Sequence, residues 1–273
     1  MKGAIGVFDS GYGGLTILEE IRKFLPEYDY IYLGDNARAP YGVRSFDLVY
    51  EFTLQAVEKL FEEGCSLVIL ACNTASAKAL RTIQQNDLPK IDGHRRVLGV
   101  IRPTVENIAS LTKTNHVGVF GTPGTIQSES YVLEIAKLFP HIQVTGESCP
   151  MWVPLVENGE YDQPGADYFV KKHIDSLLAL DPQIDTIILG CTHYPLLENK
   201  IRYYLPQDIS LISQGKYVAQ SLGDYLRRHP EMNQLCSQRG TVRFYTTESE
   251  EKFKDMANVF LQDEITAKRI SMD

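Results

Sequence analysis

Residues 67–71 read Leu-Val-Ile-Leu-Ala, an apolar segment without a polar interruption. Segments of this kind are typical of strands that are buried on both faces of a parallel sheet. Comparable short segments recur along the chain and alternate with helical periodicities, for example over residues 15–25. The sequence therefore predicts an α/β protein with mostly parallel sheets. The predicted strands cover residues 4–8, 30–33, 67–71, 97–101, 117–120, 142–145, 186–189, 209–212 and 242–245.

A faint internal repeat indicates two related halves. Residues 68–74 (Val-Ile-Leu-Ala-Cys-Asn-Thr) are echoed by residues 187–193 (Ile-Ile-Leu-Gly-Cys-Thr-His), an offset of 191 − 72 = 119. Residues 6–11 (Gly-Val-Phe-Asp-Ser-Gly) are echoed by residues 118–123 (Gly-Val-Phe-Gly-Thr-Pro), an offset of 118 − 6 = 112. Because both pairs occur in the same order, they favour a duplication. We expect a first domain of residues 1–99 plus 209–273 and a second domain of residues 100–208.

Composition excludes several classes of protein. The 273 residues carry 27 Lys and Arg against 35 Asp and Glu, for a formal net charge of −8, which argues against general nucleic-acid or anionic-membrane binding. The apolar segments are far shorter than the ~20 residues of a membrane span. We therefore expect a cytoplasmic protein. Its five cysteines are odd in number and contain no Cys-x-x-Cys pair, so neither a disulfide framework nor a metal site is indicated.

Cys72 and Cys191 each follow an apolar strand and precede a polar loop. Ligands of parallel α/β sheets bind at this carboxyl edge, and the start of a helix there lowers the pKa of a thiol. Two such thiols in one cleft could reach opposite faces of one carbon and invert its configuration. The alternative is that both cysteines fill core space, which is the role we expect for Cys65, Cys149 and Cys236.

Three further segments are candidates for a ligand site. Residues 9–14 (Asp-Ser-Gly-Tyr-Gly-Gly) form a glycine-rich turn between a strand and a helix, which suits anion binding but also suits a simple tight turn. The spacing matches neither common nucleotide-binding motif. His193 lies two residues after Cys191 and is a plausible proton partner. The loop of residues 34–42, with Arg38, Tyr41 and Gly42, suits a substrate contact or a surface turn.

A long helix is predicted after Ser45, whose side chain can cap it. Its inward face would contain Phe46, Val49, Ala56 and Leu60, and Gly64 would end it.

Five ordered motifs together resemble the glutamate racemase family. They are Asp9-Ser10-Gly11-x-Gly13-Gly14, the Gly34-Asp35…Pro40-Tyr41-Gly42 loop, Ala71-Cys72-Asn73-Thr74-Ala75, Val153-Pro154-Leu155-Val156-Glu157 and Gly190-Cys191-Thr192-His193-Tyr194-Pro195. The resemblance implies two similar parallel-sheet α/β domains related by pseudo-two-fold symmetry, with the active site in the cleft between them. It also implies a cytoplasmic enzyme, often a homodimer, that uses no cofactor and supplies D-glutamate for bacterial peptidoglycan.

The resemblance also implies residue roles. Cys72 and Cys191 would be the two acid/base thiols, assisted by Asp9, His193 and Glu157. The residues that would hold the glutamate substrate are Asp9, Ser10, Tyr41, Gly42, Asn73, Thr74, Thr192 and His193. Because these motifs contain little positive charge, we expect backbone N–H groups and hydroxyls to bind the two substrate carboxylates.

Two positions depart from the family pattern, and two alternatives remain. Gln214 stands where a small residue such as Ser is usual, which bears on packing between the domains, and Asn36 stands where Thr is common. One alternative is an aspartate racemase of the wider superfamily, against which residues 9–14 and the Tyr41-Gly42 loop argue. The other is a nucleotide-binding regulatory protein with structural cysteines.

Overall fold

The computed structural model describes residues 2–261 and 265–272. Residues 1, 262–264 and 273, which belong to the predicted first domain, lie outside the described residues. In the described part, the strands are β1 (Ile5–Asp9), β2 (Tyr30–Gly34), β3 (Leu67–Leu70), β4 (Arg96–Gly99), β5 (His116–Gly121), β6 (Gln143–Ser148), β7 (Thr186–Gly190), β8 (Ser210–Ile212), β9 (Val242–Thr246) and β10 (Ala267–Arg269).

Helices connect these strands and cover the sheets. They are α1 (Leu15–Phe24), α2 (Phe46–Glu62), α3 (Asn73–Lys78), α4 (Leu80–Thr82), α5 (Leu88–Ile91), α6 (Ile101–Val105), α7 (Pro123–Gln127), α8 (Ser130–Leu138), α9 (Trp152–Glu157), α10 (Pro164–Leu180), α11 (Glu198–Tyr204), α12 (Gly215–Arg228), α13 (Pro230–Asn233) and α14 (Glu250–Leu261). A π-helical segment, Ile83–Asp87, joins α4 to α5, and 3-10 turns occupy Tyr41–Val43, Ile108–Ser110 and Tyr194–Leu197. Among the described residues, no helix is both long and apolar enough to cross a membrane.

The strands form two parallel sheets, which confirms the predicted fold class. One sheet has the order β10-β9-β2-β1-β3-β4 and the other has the order β6-β5-β7-β8. The second order repeats the β2-β1-β3-β4 part of the first, with β5 in the place of β1 and β7 in the place of β3. These are the strands that carry the two sequence echoes. The repeated topology gives the duplicated sequence a structural counterpart.

The C-terminal segment returns to the first sheet through β9, which pairs with β2, and β10, which pairs with β9. Strand β8 does not follow the predicted division, because it pairs with β7 of the second sheet although residues 209–273 were assigned to the first domain. Strand β10, a short strand at the edge of the sheet, is not among the predicted strands. The strand predicted over residues 97–101 ends at Gly99, because Ile101 already begins α6.

Helix α2 illustrates how local sequence sets an element. The Ser45 side chain accepts a hydrogen bond from the Leu48 N–H and so caps the first turn, as predicted. Gly64 follows the helix with φ of +90°, a conformation that glycine adopts without strain. The prediction that Phe46 faces inward is wrong, since Phe46 is 50% exposed. Phe46 is the first residue of α2, and burial of the inward face begins one turn later at Val49.

Aromatic packing supports the second half beneath its strand ends. Trp152 is fully buried, with ring centroids 4.9 Å from Phe120 and 4.8 Å from Tyr194. Trp152 begins α9, Phe120 belongs to β5 and Tyr194 begins the turn after β7. The cluster therefore fixes α9 and this turn against the sheet, since edge-to-face aromatic contacts add to the burial of apolar area.

Candidate active site

A cavity of about 250 Å³ lies between the carboxyl ends of the two sheets. Ser10 and Cys72 enter it after β1 and β3, and Thr122 and Cys191 enter it after β5 and β7. β1 and β3 are neighbours in one sheet and β5 and β7 are neighbours in the other, so each neighbouring pair is followed by one of these hydroxyls and one of these thiols. The cavity therefore faces both thiols, as the repeat and the strand ends predicted.

Cys72 lies at the start of α3. Its sulfur accepts a long hydrogen bond from the Ala75 N–H at 3.5 Å and lies 3.5 Å from Ser10 Oγ, to which it donates. The helix start lowers the pKa of this thiol through the Ala75 N–H, as expected, but other contributions are larger. Burial, followed by the charge of Asp9, raises the pKa of Cys72 to about 12, which outweighs the hydrogen bonds with Ser10 and Ala75. Cys72 is therefore held as a thiol.

Cys191 has a different environment. A 3-10 turn follows it in place of the expected α-helix, and its sulfur lies 3.9 Å from His193 Nδ1. The other ring nitrogen of His193, Nε2, lies 2.9 Å from Glu157 Oε1. The thiol, the imidazole and the carboxylate thus form a connected chain on the second half.

His193 is buried and carries the positive charge of the site. Burial alone would lower its pKa, but the interactions with Cys191 and Glu157 are stronger and raise the pKa to about 10. The imidazolium form is therefore stable at neutral pH and can stabilise a thiolate at Cys191. Among the described residues that line the cavity, none is a lysine or an arginine.

Asp9 lies behind the cavity wall on the first half. Its Oδ1 accepts a hydrogen bond from the Gly11 N–H at 2.8 Å, and its Oδ2 accepts one from Thr192 Oγ1 at 3.3 Å. Burial raises the pKa of Asp9, although His193 and the hydrogen-bond donors oppose this shift. Asp9 does not line the cavity, so the structure places it beside the thiol of Cys72 rather than against a ligand.

The glycine-rich turn brings the two halves into contact. A Cβ atom at Gly13 would overlap both Thr192 Oγ1 and the His193 ring. The Gly11 N–H is already bonded to Asp9. This arrangement leaves the turn no space for a nucleotide phosphate beside Gly13 and explains the glycine by close packing.

The loop of residues 34–42 reaches the cavity through Tyr41 and Gly42. The Tyr41 hydroxyl donates to buried Asp35, which also accepts a hydrogen bond from Thr247 Oγ1 at 2.9 Å. Arg38, which the sequence suggested as a substrate contact, is not part of the cavity lining. Its Nε donates to Asp35 Oδ2 at 2.7 Å, so it supports the loop from behind.

Asn73 and Thr74 line the cavity, but their side chains already have partners. Thr74 Oγ1 lies 2.9 Å from Thr122 Oγ1, across the two halves. The amide of Asn73 bonds to Gln214 and to Tyr131. Both residues therefore join the halves, in addition to the ligand-binding role that was predicted for them.

Sequence reasoning assigned no site role to several lining residues, namely Thr122, Pro123, Pro150, Val153 and Pro154. The repeat contained a signal for Thr122, since it is the counterpart of Ser10 at the offset of 122 − 10 = 112. Cys149 was expected to be a packing residue; it is buried, yet it also lines the cavity. The apolar members give part of the cavity wall an apolar surface.

Two other predicted features can be placed. Within residues 2–261 and 265–272, no group of three or more His, Cys, Asp or Glu side chains is arranged to hold a metal ion. Asn36 accepts a hydrogen bond from Thr246 Oγ1 at 2.9 Å and so ties its loop to the end of β9.

Comparisons with known proteins agree with this geometry. Residues 15–222 match the family model described as Asp/Glu/Hydantoin racemase. A glutamate racemase of Ruegeria sp. is 41% identical over 96% of this chain and 98% of its own length. The structure of glutamate racemase isoform RacE1 from Bacillus anthracis superposes with a TM-score of 0.89 at 35% identity, covering 98% of this chain and 97% of that one. The Francisella tularensis glutamate racemase, solved in complex with D-glutamate, gives a TM-score of 0.87 at 34% identity, covering 100% and 98%.

Proposed function

The chain belongs to the Asp/Glu/Hydantoin racemase family, and we propose that it interconverts L- and D-glutamate through two opposed thiols, Cys72 and Cys191. The observation that carries the two-thiol mechanism is the placement of both sulfurs at equivalent strand ends, facing one cavity between the halves. A hydrolase or transferase needs one nucleophile, one base and an oxyanion site. Two equivalent thiols suit the inversion of one carbon instead.

The reaction is a pair of proton transfers. With one enantiomer bound, the thiolate of Cys191 takes the α-proton and becomes a thiol, and the bonding electrons remain on the substrate as a carbanion. The thiol of Cys72 then gives its proton to the opposite face of that carbon and becomes a thiolate. In the reverse direction the two residues exchange roles, so atoms and charge balance and no cofactor is consumed.

The surroundings of the two thiols suit these starting states. Burial and Asp9 keep Cys72 protonated, whereas the Cys191 sulfur lies 3.9 Å from Nδ1 of the His193 imidazolium, which Glu157 holds in place. We assign Asp9 an assisting role in this transfer: its charge raises the pKa of Cys72 and so keeps the proton on sulfur until it passes to the substrate carbon. Because the α-proton is very weakly acidic, a dry and preorganised site has to supply much of the lowering of the barrier.

Substrate recognition must place two carboxylates in a protein of net charge −8. We assign this role to the backbone N–H groups and hydroxyls at the strand ends and to the His193 imidazolium. The proposed contact residues are Ser10, Tyr41, Gly42, Asn73, Thr74, Thr192 and His193. For Asn73 we favour backbone contact, because its amide is bonded to Gln214 and Tyr131.

The wider role follows from the product. D-Glutamate made in this way would supply bacterial peptidoglycan synthesis. The cytoplasmic location, the homodimeric state and the division into two domains stay predictions. Fractionation of cells and sedimentation of the purified protein test the first two.

Incubation of the protein with L-glutamate in D2O tests the function. We expect the optical rotation to decay to zero while deuterium enters the α-position. L-Aspartate under the same conditions separates glutamate from aspartate specificity. Unchanged rotation together with an unlabelled α-position would contradict the proposal, and tight nucleotide binding in calorimetry would then favour the regulatory alternative.

A further inference from the structure

We propose that a closed ring of three hydrogen bonds, formed by Asn73, Gln214 and Tyr131, positions the two thiols relative to each other. The proposal rests on the two-thiol function stated above and gives these three side chains a positioning role; the substrate contact proposed for Asn73 is made by its backbone.

The ring runs in one direction through three buried side chains. Asn73 Nδ2 donates to Gln214 Oε1 at 2.6 Å, Gln214 Nε2 donates to Tyr131 Oη at 2.8 Å, and Tyr131 Oη donates to Asn73 Oδ1 at 2.7 Å. Asn73, Gln214 and Tyr131 are 2%, 3% and 3% exposed. In such a dry setting each hydrogen bond polarises the next, and the loss of one member leaves the others unpaired.

Thr104 fixes the direction of the ring. Its hydroxyl donates to the Val100 carbonyl at 3.0 Å, so it is free to accept from Gln214 Nε2, which lies 3.0 Å away. The Gln214 amide therefore presents its oxygen to Asn73 and its nitrogen to Tyr131. A flipped amide would place its oxygen towards the Val100 carbonyl, which also lies near Nε2 at 3.4 Å.

The ring connects the immediate neighbours of both thiols. Asn73 follows Cys72 and begins α3, whose first turn bonds the Cys72 sulfur. Tyr131 belongs to α8 of the second half, and its ring packs against Gly190, where a Cβ atom would lie 3.3 Å from Tyr131 Cε2. Gly190 directly precedes Cys191. Through these contacts the ring links the residue after one thiol to the residue before the other.

Gln214 is the member that makes this link possible. It follows β8 of the second sheet and directly precedes α12, the helix that packs on α1. A small residue such as Ser, which is usual at this position in the family pattern, is too short to bond Asn73 and Tyr131 at the same time. A difference of about 1 Å in the placement of reacting groups can change a rate by ~100-fold. A rigid connection between the thiols therefore has a direct effect on proton transfer.

Three variants test the ring. Tyr131→Phe removes one hydroxyl, and Gln214→Met removes the amide at nearly constant size. Tyr28→Phe is the matched control, because buried Tyr28 donates to Asn233 Oδ1 at 2.8 Å near the amino end of β2, away from the cavity. We expect kcat to fall ~10–100-fold in both ring variants while KM changes less than ~3-fold, since thiol spacing controls proton transfer. Tyr28→Phe should retain wild-type kinetics.

Two further measurements separate positioning from loss of stability. The double variant should be no slower than the slower single variant, because either change already opens the ring. Iodoacetamide labelling of the native proteins, followed by mass spectrometry, should show altered rates at Cys72 and Cys191 in the ring variants but not in Tyr28→Phe. Thermal unfolding of all variants identifies the fraction that is folded.

Several results would overturn the proposal. They are kcat within two-fold of wild type in both ring variants, an equal loss in Tyr28→Phe, or independent losses that multiply in the double variant. If the wild-type protein fails to racemise glutamate, the proposed function is wrong. The ring is then judged by labelling alone, and unchanged rates at both thiols in the ring variants would exclude it.

Discussion

Glu157→Gln is the change that tests the electrostatics of the site most directly. It retains the size of the side chain and removes the negative charge 2.9 Å from His193 Nε2. In the wild-type protein, Cys191 and Glu157 raise the pKa of His193 from its ordinary 6.5 to about 10 in spite of burial. The amide removes one of these two contributions, so the imidazolium should lose its proton at lower pH.

The size of the effect follows from the lost hydrogen bond. A hydrogen bond to a charged group contributes ~1.5–3 kcal/mol. One pH unit corresponds to ~1.4 kcal/mol, so the pKa of His193 should fall by ~1–2 pH units. If catalysis requires the imidazolium beside the Cys191 thiolate, the alkaline limb of the kcat/KM profile should move to lower pH by the same amount. Cys72 has a pKa of about 12, so it ionises at too high a pH to produce that limb in the variant.

The assay is racemisation of glutamate followed by circular dichroism between pH 6 and pH 10.5. NMR titration of the His193 ring records its pKa directly. Glu147→Gln is a matched control, because Glu147 Oε1 lies 2.7 Å from buried His173 Nδ1 in the same half but outside the cavity. An alkaline limb that stays in place in Glu157→Gln, or that moves equally in Glu147→Gln, would refute the assigned role of His193.

Three other perturbations have defined outcomes. Cys72→Ala and Cys191→Ala should each abolish racemisation, measured by polarimetry, without unfolding the protein. Cys236→Ala changes a buried cysteine away from the cavity and should keep the wild-type rate. Full activity in either of the first two variants would exclude the two-thiol mechanism. Asp9→Asn should lower the pKa of Cys72, because the Asp9 charge helps to raise it. The pH midpoint of Cys72 alkylation, measured by mass spectrometry, should therefore fall. An unchanged or higher midpoint would contradict this. The protonated His193 contributes stability that is complete below pH 6.5 and is lost as pH rises to about 10, because the folded state binds its proton more tightly. In urea unfolding across this window, the free energy of unfolding should depend less steeply on pH in His193→Asn than in the wild type. Identical slopes would argue against a raised His193 pKa.

Local patterns were sufficient to predict most of the fold. Apolar segments located nine of the ten strands described in the structure, because burial on both faces of a parallel sheet demands such residues. The repeat predicted two related halves, and the two sheets share a strand order. Strand β10 escaped detection because Ala267–Arg269 is a polar strand at a sheet edge, where one side faces solvent. Strand β8 pairs with β7, the strand before it in the chain, and not with the first sheet to which residues 209–273 were assigned.

The candidate site was also partly predictable from local patterns. Cys72, Cys191 and Ser10 were located from strand ends, which neighbouring residues along the chain define. For Arg38 the sequence left a substrate contact and a surface turn open, and only the folded loop shows that it pairs with buried Asp35. The helix start at Cys72 predicted a lowered thiol pKa, and the Ala75 N–H does lower it, but the net pKa of Cys72 is raised. Burial, which the sequence does not measure, is the larger effect there.

By itself the sequence determined the alternation of strands and helices, the duplication, and the identity of the two thiols, since each depends on residues that are close along the chain. Only the folded structure shows the raised pKa of Cys72, the charge partner of His193 and the connection between the two thiols. Glu157 lies 36 residues from His193, and Gln214 lies 141 residues from Asn73. The strength of such contacts depends on distance and burial in the folded protein, where water no longer screens charges or competes for hydrogen bonds.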